Sequence, residues 1–343
     1  MATTNFPYGV SSFGVPVLPG IPVPFTGKYF WVDPVNGTDG YEGTSPARAF
    51  KTLYKAHSMC TSGNNDCVFL IGNGAASGTA RLSLANAQSV DSTVTVGTLV
   101  WSKSATHLIG IGVPSNNGRA RMAPPTGTYT QATFGSGNFV TVTGTGCYFA
   151  NLSVYNGFST GGTNQIAWTD SGGRNAYANC QFQGMNDAAS AANTGSRSLK
   201  VSGTTGENTF TNCVIGDDTT ARSVANASLE LAGGTPRNTF KDCDFPFQTS
   251  NAGVLGILGT GNACMDRWCL FERCTFMNNI SSTSTQMTVL ASFTTNAPGG
   301  MLLFKDCFSI GRTKFGDANA LANSYLTMPA SSGSAGGLAV VPS

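Results

Sequence analysis

The residues in this chain whose types and spacing could do chemistry are ten cysteines, two histidines and a few aspartates near its middle. Cleaving a glycosidic bond needs two carboxylates held at a fixed separation on either side of it. Gly216-Asp217-Asp218, with Asp187 before and Asp244 after, is the best source of such a pair. These acids fall seven residues after Cys180, four after Cys213 and one after Cys243. Carboxylates in different registers of a repeat do not face one another, so no catalytic residue is expected. Zinc needs four ligands converging at short loop spacings. Cys60/Cys67 and Cys264/Cys269 are close pairs, His57 is the only histidine near either, and no metal site is expected. Gly110-Ile111-Gly112 lacks the third glycine of a dinucleotide loop, and no cofactor is expected.

The cysteines themselves carry the strongest signal. Cys147, Cys180, Cys213, Cys243, Cys274 and Cys307 recur at separations of 33, 33, 30, 31 and 33 residues. Three residues earlier stand Tyr177, Phe210, Phe240, Phe271 and Phe304; five earlier stand Asn175, Asn208 and Asn238. An internal repeat of about 30 residues, built of short strands and Asn corners without helical periodicity, predicts one coil of a parallel β-helix. The aromatic closes one strand, Asn or Asp turns the corner, and Cys opens the next strand on its inner face. Stacking then gives an aromatic ladder, a ladder of corner residues and a ladder of cysteines. The cysteine ladder is a buried column of small apolar side chains; spacing alone also leaves disulfides between coils geometrically open.

Composition agrees with a turn-dense β protein. Only 10% of the 343 residues are charged, 19 basic against 17 acidic, while Gly numbers 43. A net charge of +2 gives no basic stripe for nucleic acid or a membrane surface. No run of 18 apolar residues spans a bilayer, and the Pro-interrupted N-terminus does not read as a signal peptide. A chain made in a reducing cytosol keeps its thiols free by default.

Residues 1–27 hold no charge and five prolines, Pro7, Pro16, Pro19, Pro22 and Pro24. The prolines should keep the segment extended and bar a compact hairpin. Its aromatics Phe6, Tyr8, Phe13 and Phe25 then need an external surface, which makes them the candidate partner-binding residues. Residues 28–60 read as an entry strand, Tyr29-Phe30-Trp31-Val32, and a capping helix. Phe50, Leu53, Tyr54 and His57 share one helical face, so a helix is predicted over 47–59 with Ser45 as its N-cap, and His57 as a half-buried cap residue. The β-helix proper is expected over 61–315 and a Gly/Ser/Ala-rich tail over 316–343.

Val32-Asp33, Asn36-Gly37-Thr38-Asp39-Gly40, Gly43-Thr44-Ser45-Pro46 and Ala49-Phe50-Lys51-Thr52-Leu53, taken together, resemble the entry motif of pectin-lyase-like right-handed β-helix proteins, many of them in bacteriophage virions. The stretch from Trp101 to Gly112 is similar to an early coil of that superfamily. The resemblance implies an all-β, right-handed parallel β-helix with an N-terminal capping helix and extended terminal arms. Gly216-Asp217-Asp218 is superficially similar to the paired aspartates of polygalacturonases. The His-Gly that follows in those enzymes is missing here, as is the Arg-x-Pro-x-x-Arg of pectate lyases, while an Arg-x-Lys does occur downstream at Arg312-Thr313-Lys314. The expectation is a non-enzymatic head decoration (cement) protein on the outer surface of a phage head. Its expected partners are the major capsid protein and neighbouring copies of itself as a homotrimer, with surface glycan as a further partner. A tailspike that binds or depolymerises host surface polysaccharide is the alternative.

Overall fold

The computed structural model describes residues 26–72, 99–112, 119–123, 138–155, 166–186, 188–279 and 285–327, with the short strands Ser11–Ser12, Val15–Pro16 and Leu82–Ser83. Within them the chain winds into three parallel sheets of ten, nine and eight strands. Each strand pairs with its equivalent one coil away. The ten-stranded sheet runs from Tyr29–Val32 to Ser324–Thr327. Every ladder in these three sheets is parallel, so backbone donors and acceptors are used between coils and each coil needs its neighbours.

The corner between the ten- and nine-stranded sheets explains the repeat. Asn151, Asn179, Asn212, Asp242, Arg273 and Asp306 all hold φ between 50° and 55°, the left-handed region where Asn and Asp lose least among residues with a side chain. The first five of these corner amides still donate upward, Asn179 N to Thr211 O at 3.0 Å and Asp242 N to Glu272 O at 2.9 Å among them. The residue after the corner turns inward. Cys180, Cys213, Cys243, Cys274 and Cys307 occupy that position. Their thiols point at the carbonyl of an aromatic one coil below, Cys213 Sγ to Tyr177 O at 3.7 Å and Cys307 Sγ to Phe271 O at 3.3 Å. All ten cysteines are free and buried.

Cys147 does not belong to that column, although its spacing of 33 residues matches. Phe149 is the register partner of Tyr177, which places Cys147 opposite Asn175, whose Oδ1 accepts its amide at 2.7 Å. The corner of that coil is Asn151, and Leu152 stands where later coils have Cys. The aromatic ladder accordingly begins at Phe149 and runs through Tyr177, Phe210, Phe240, Phe271 and Phe304, each the register partner of the next. Asn175 and Asn208 amides donate to the Oδ1 of Asn208 and Asn238, so the inner Asn residues form their own hydrogen-bonded ladder.

The helix at the entry is shorter than its apolar spacing predicts. Pro46–Arg48 is a single 3-10 turn, and the α-helix covers Leu53–Met59 with Thr52 as N-cap, its hydroxyl accepting Lys55 N at 3.0 Å. Between them Phe50 is spent on a bridge to Val32, and its ring lies under Gly43. A Cβ at Gly43 would sit 2.1 Å from that ring, at a φ of +69°, so glycine is required there. Phe50, Leu53 and Ala56 join the interior core and close the first coil. At the other end coil structure runs past 315. Ala318–Ala322 is a helix capped by Asp317, and Ser324–Thr327 adds the last strand of the ten-stranded sheet. Before residue 26, Ser11–Ser12 pairs antiparallel with Val15–Pro16, a hairpin where continuous extension was expected. Proline at the outer strand position is compatible with this, because it gives up only its own N–H.

Candidate functional site

The acids singled out above do not converge. Asp217 pairs in register with Phe247, and Asp244 pairs with Val214, so the two carboxylates lie three positions apart along their ladder. Asp217 is buried and accepts the Thr219 hydroxyl at 2.7 Å, and burial raises its pKa. Asp244 is exposed and accepts the Thr275 hydroxyl from the next coil. Asp187 lies outside the described residues. Other surface acids bridge coils: Arg273 is bidentate to Asp242, Lys305 meets Glu272 at 3.0 Å, and Glu207 takes both Arg174 and Arg237. Among the described residues no three His, Cys, Asp or Glu side chains gather as metal ligands.

The buried titratable groups serve the frame. His57 Nε2 accepts the amides of Ser102 and Lys103, and its ring lies 4.7 Å from Trp101. Burial, with Lys103 second, pushes its pKa down to about 4. Lys103 Nζ in turn donates to the carbonyls of His57, Ser58 and Cys60 at 2.7, 2.7 and 2.5 Å, a cation on the helix C-terminus. His107 Nδ1 accepts Tyr148 N at 3.0 Å, and burial lowers its pKa to about 4 as well. Asp170 lies inside the coil stack, where it accepts Gly173 N, Asn175 Nδ2 and the Tyr177 hydroxyl, and burial raises its pKa. Arg222 is 1% exposed and donates to Asn226, Ser228 and Leu255. Burial pulls its pKa down to about 9. Arg222 and Asp170 had no signal in spacing, since their partners come from other coils or from around a corner.

The outer surface of the ten-stranded sheet has two halves. In the upper coils one outward column is charged, Lys241, Glu272 and Lys305, and the column beside it holds Thr239, Leu270, Leu303 and Tyr325. In the first coils the outward positions are apolar and form a second cluster, separate from the interior, with Phe69, Ile109 and Tyr148 at its centre. Continuous apolar runs such as Tyr29-Phe30-Trp31-Val32 and Cys67-Val68-Phe69-Leu70 are the sequence signature of strands buried on both faces, a signal that would have located this patch. The candidate partner residues Phe6, Tyr8, Phe13 and Phe25 lie outside the described residues.

No protein family and no curated protein sequence matches the chain. Solved structures do. It resembles a pectate lyase, Pel9A, with a TM-score of 0.57 at 17% identity, covering 84% of this chain and 64% of that one. It also resembles a rhamnogalacturonan lyase (TM-score 0.56, 14% identity, 85% and 71% covered). A pectin methylesterase, PemA from Erwinia chrysanthemi, follows with a TM-score of 0.52 at 15% identity, 84% and 80% covered. The chain has the pectin-lyase-like right-handed parallel β-helix fold. The chain spans less than two thirds of the length of the pectate lyase. In a β-helix of this kind, side chains reaching the same outer face from successive coils are neighbours only if they share a register, which is the condition Asp217 and Asp244 do not meet.

Proposed function

We propose that this β-helix is a structural component of a bacteriophage virion, a decoration protein on the outer surface of the head. Its N-terminal segment supplies an apolar attachment, and the major capsid protein and neighbouring copies of the chain are its partners. The observation that supports this reading is the separation in register of Asp217 and Asp244, with Glu207, Asp242 and Glu272 engaged in ion pairs between coils. The acids stiffen the stack instead of flanking a bond to be cleaved. A rod whose coils are locked to one another by paired backbone, stacked rings and inter-coil ion pairs suits a surface exposed to proteases. The entry motif's resemblance to virion β-helices supports the setting.

The test is incubation of purified protein and its Asp217→Asn variant with capsular, lipopolysaccharide and pectic substrates, beside reconstruction of particles carrying and lacking the chain. The expected outcome is no turnover by either protein and density on the head that disappears with the chain. The likeness to a pectate lyase and a rhamnogalacturonan lyase favours a second reading, a tailspike that binds or depolymerises host polysaccharide. Glycan cleavage abolished by Asp217→Asn, or density at the tail, selects it.

A further inference from the structure

The first strands of the ten-stranded sheet are apolar on both faces. Phe30, Val68 and Leu108 turn into the interior, while their neighbours Trp31, Phe69 and Ile109 turn outward into the second cluster. Although they face away from the coil interior, Cys67, Phe69 and Ile109 are only 0%, 1% and 2% exposed. The outward column that begins at Trp31 and Phe69 continues through Ile109, Ala150 and Ala178 to Thr211 and then to Lys241 and Glu272. One column of one sheet thus changes from apolar to charged along its length. What sets the lower stretch apart is close packing: Phe69 and Ile109 are almost fully buried on this outer face, whereas the upper stretch carries this charged column beside Leu270, Leu303 and the 64% exposed Tyr325.

We infer that this lower outer face is the docking site of the chain's own residues 1–25. The exit of that segment is pinned beside the patch. Lys28 N donates to Asp66 Oδ1 at 2.6 Å, and Cys67 N to Lys28 O at 2.8 Å. Gly27 lies so close to Asn64 that a Cβ would come within 2.3 Å of its carbonyl oxygen. The next residue but one, Tyr29, is already part of the cluster, its ring stacked 5.9 Å from Phe69.

Chemistry and length match too. The segment has no charge and carries Phe6, Tyr8, Phe13 and Phe25, and an uncharged aromatic chain suits an uncharged apolar face. Five strands at about 4.8 Å spacing make a patch roughly 20 Å across. Twenty-five residues reach well beyond that even when part is folded into a hairpin. The stretches that leave the far ends of these strands, 73–81 and 113–118, hold no aromatic residue. A tether this short also holds its own segment at an effective concentration on the order of millimolar, ahead of a neighbour's. The inference stands whether or not the chain decorates a head. If it does, attachment through the segment draws it off this face, and free and attached copies differ in what covers Phe69.

The test places the photoreactive residue benzoylphenylalanine at Phe13 of the full chain and irradiates an equal mixture of isotopically light and heavy protein. Docking in place predicts cross-links within single chains to peptides containing Phe69 or Ile109, at a yield unchanged by dilution. Ala150→Lys, which puts a charge on the patch, should reduce that yield several-fold; should that variant not fold, the isotope and dilution readouts decide alone. Cross-links only between light and heavy chains, cross-links elsewhere in the chain, or none at all would overturn the inference. Loss of head binding in a separate assay would leave it untouched, so the two proposals fail independently.

Discussion

The rings of Phe210 and Phe240 lie 4.6 Å apart and within 4° of parallel. Their backbones are register partners on adjacent strands, and one strand spacing is close to the distance at which aromatic rings stack. The same relation holds from Tyr177 through Phe304, with centroids 4.5 to 4.9 Å apart. Coil spacing and ring stacking therefore reinforce each other along the core.

Removing one ring from the middle of this ladder breaks two stacks and leaves a cavity. Phe240→Ala should destabilise the protein by about 3–5 kcal/mol. Phe308→Ala, at a side chain 45% exposed, should stay within about 0.5 kcal/mol. Denaturant titration of the two variants checks the contrast, and equal effects would contradict it.

Acid should weaken the entry coils through their histidines. His57 and His107 have folded pKa values of about 4 against an ordinary 6.5, so the folded chain binds these protons more weakly than the unfolded one. The stability they carry is complete above pH 6.5 and is lost as pH falls toward 4, on the order of 3 kcal/mol for each imidazole. Thermal unfolding across that window should show a shallower loss in His57→Gln, whose amide oxygen can still accept the amides of Ser102 and Lys103.

The Lys103 ammonium holds the end of the capping helix through three carbonyls. Lys103→Met keeps the stem and removes the donors, and should cost about 1–3 kcal/mol. Faster amide exchange over Leu53–Cys60, with the Phe240 region unchanged, is the expected signature.

Ten buried thiols should resist modification in the folded protein. Burial holds the Cys180, Cys213 and Cys243 thiols well above their ordinary pKa, and the thiolate is the reactive form. A maleimide reagent should label none of these three under native conditions and all three in denaturant. Native labelling of Cys213 would show that the central coils open.

The repeat was legible because stacking imposes its own period on the sequence. A ring, a corner and a small inner side chain recur wherever the coil passes the same point, so Tyr177 through Phe304 and Cys180 through Cys307 could be aligned from spacing alone. Spacing cannot see where within a coil residues are added or lost. Cys147 lies 33 residues before Cys180 and still sits in another column, because pairing of Phe149 with Tyr177 fixes the register. Arg273 takes a left-handed corner that its side chain does not announce, supported by its two bonds to Asp242.

By itself, then, the sequence determined the parallel β-helix, its ring and thiol ladders, and the mismatch in position of Asp217 and Asp244, since each follows from local periodicity. Only the tertiary structure decided that the helix starts after Thr52, that Arg222 is buried, that Asp170 meets Tyr177, and that Phe69 and Ile109 lie buried in an apolar cluster on the outer sheet face. Those facts depend on which coil lies against which. Chain entropy makes such long-range placements the costliest to form, and no local pattern records them.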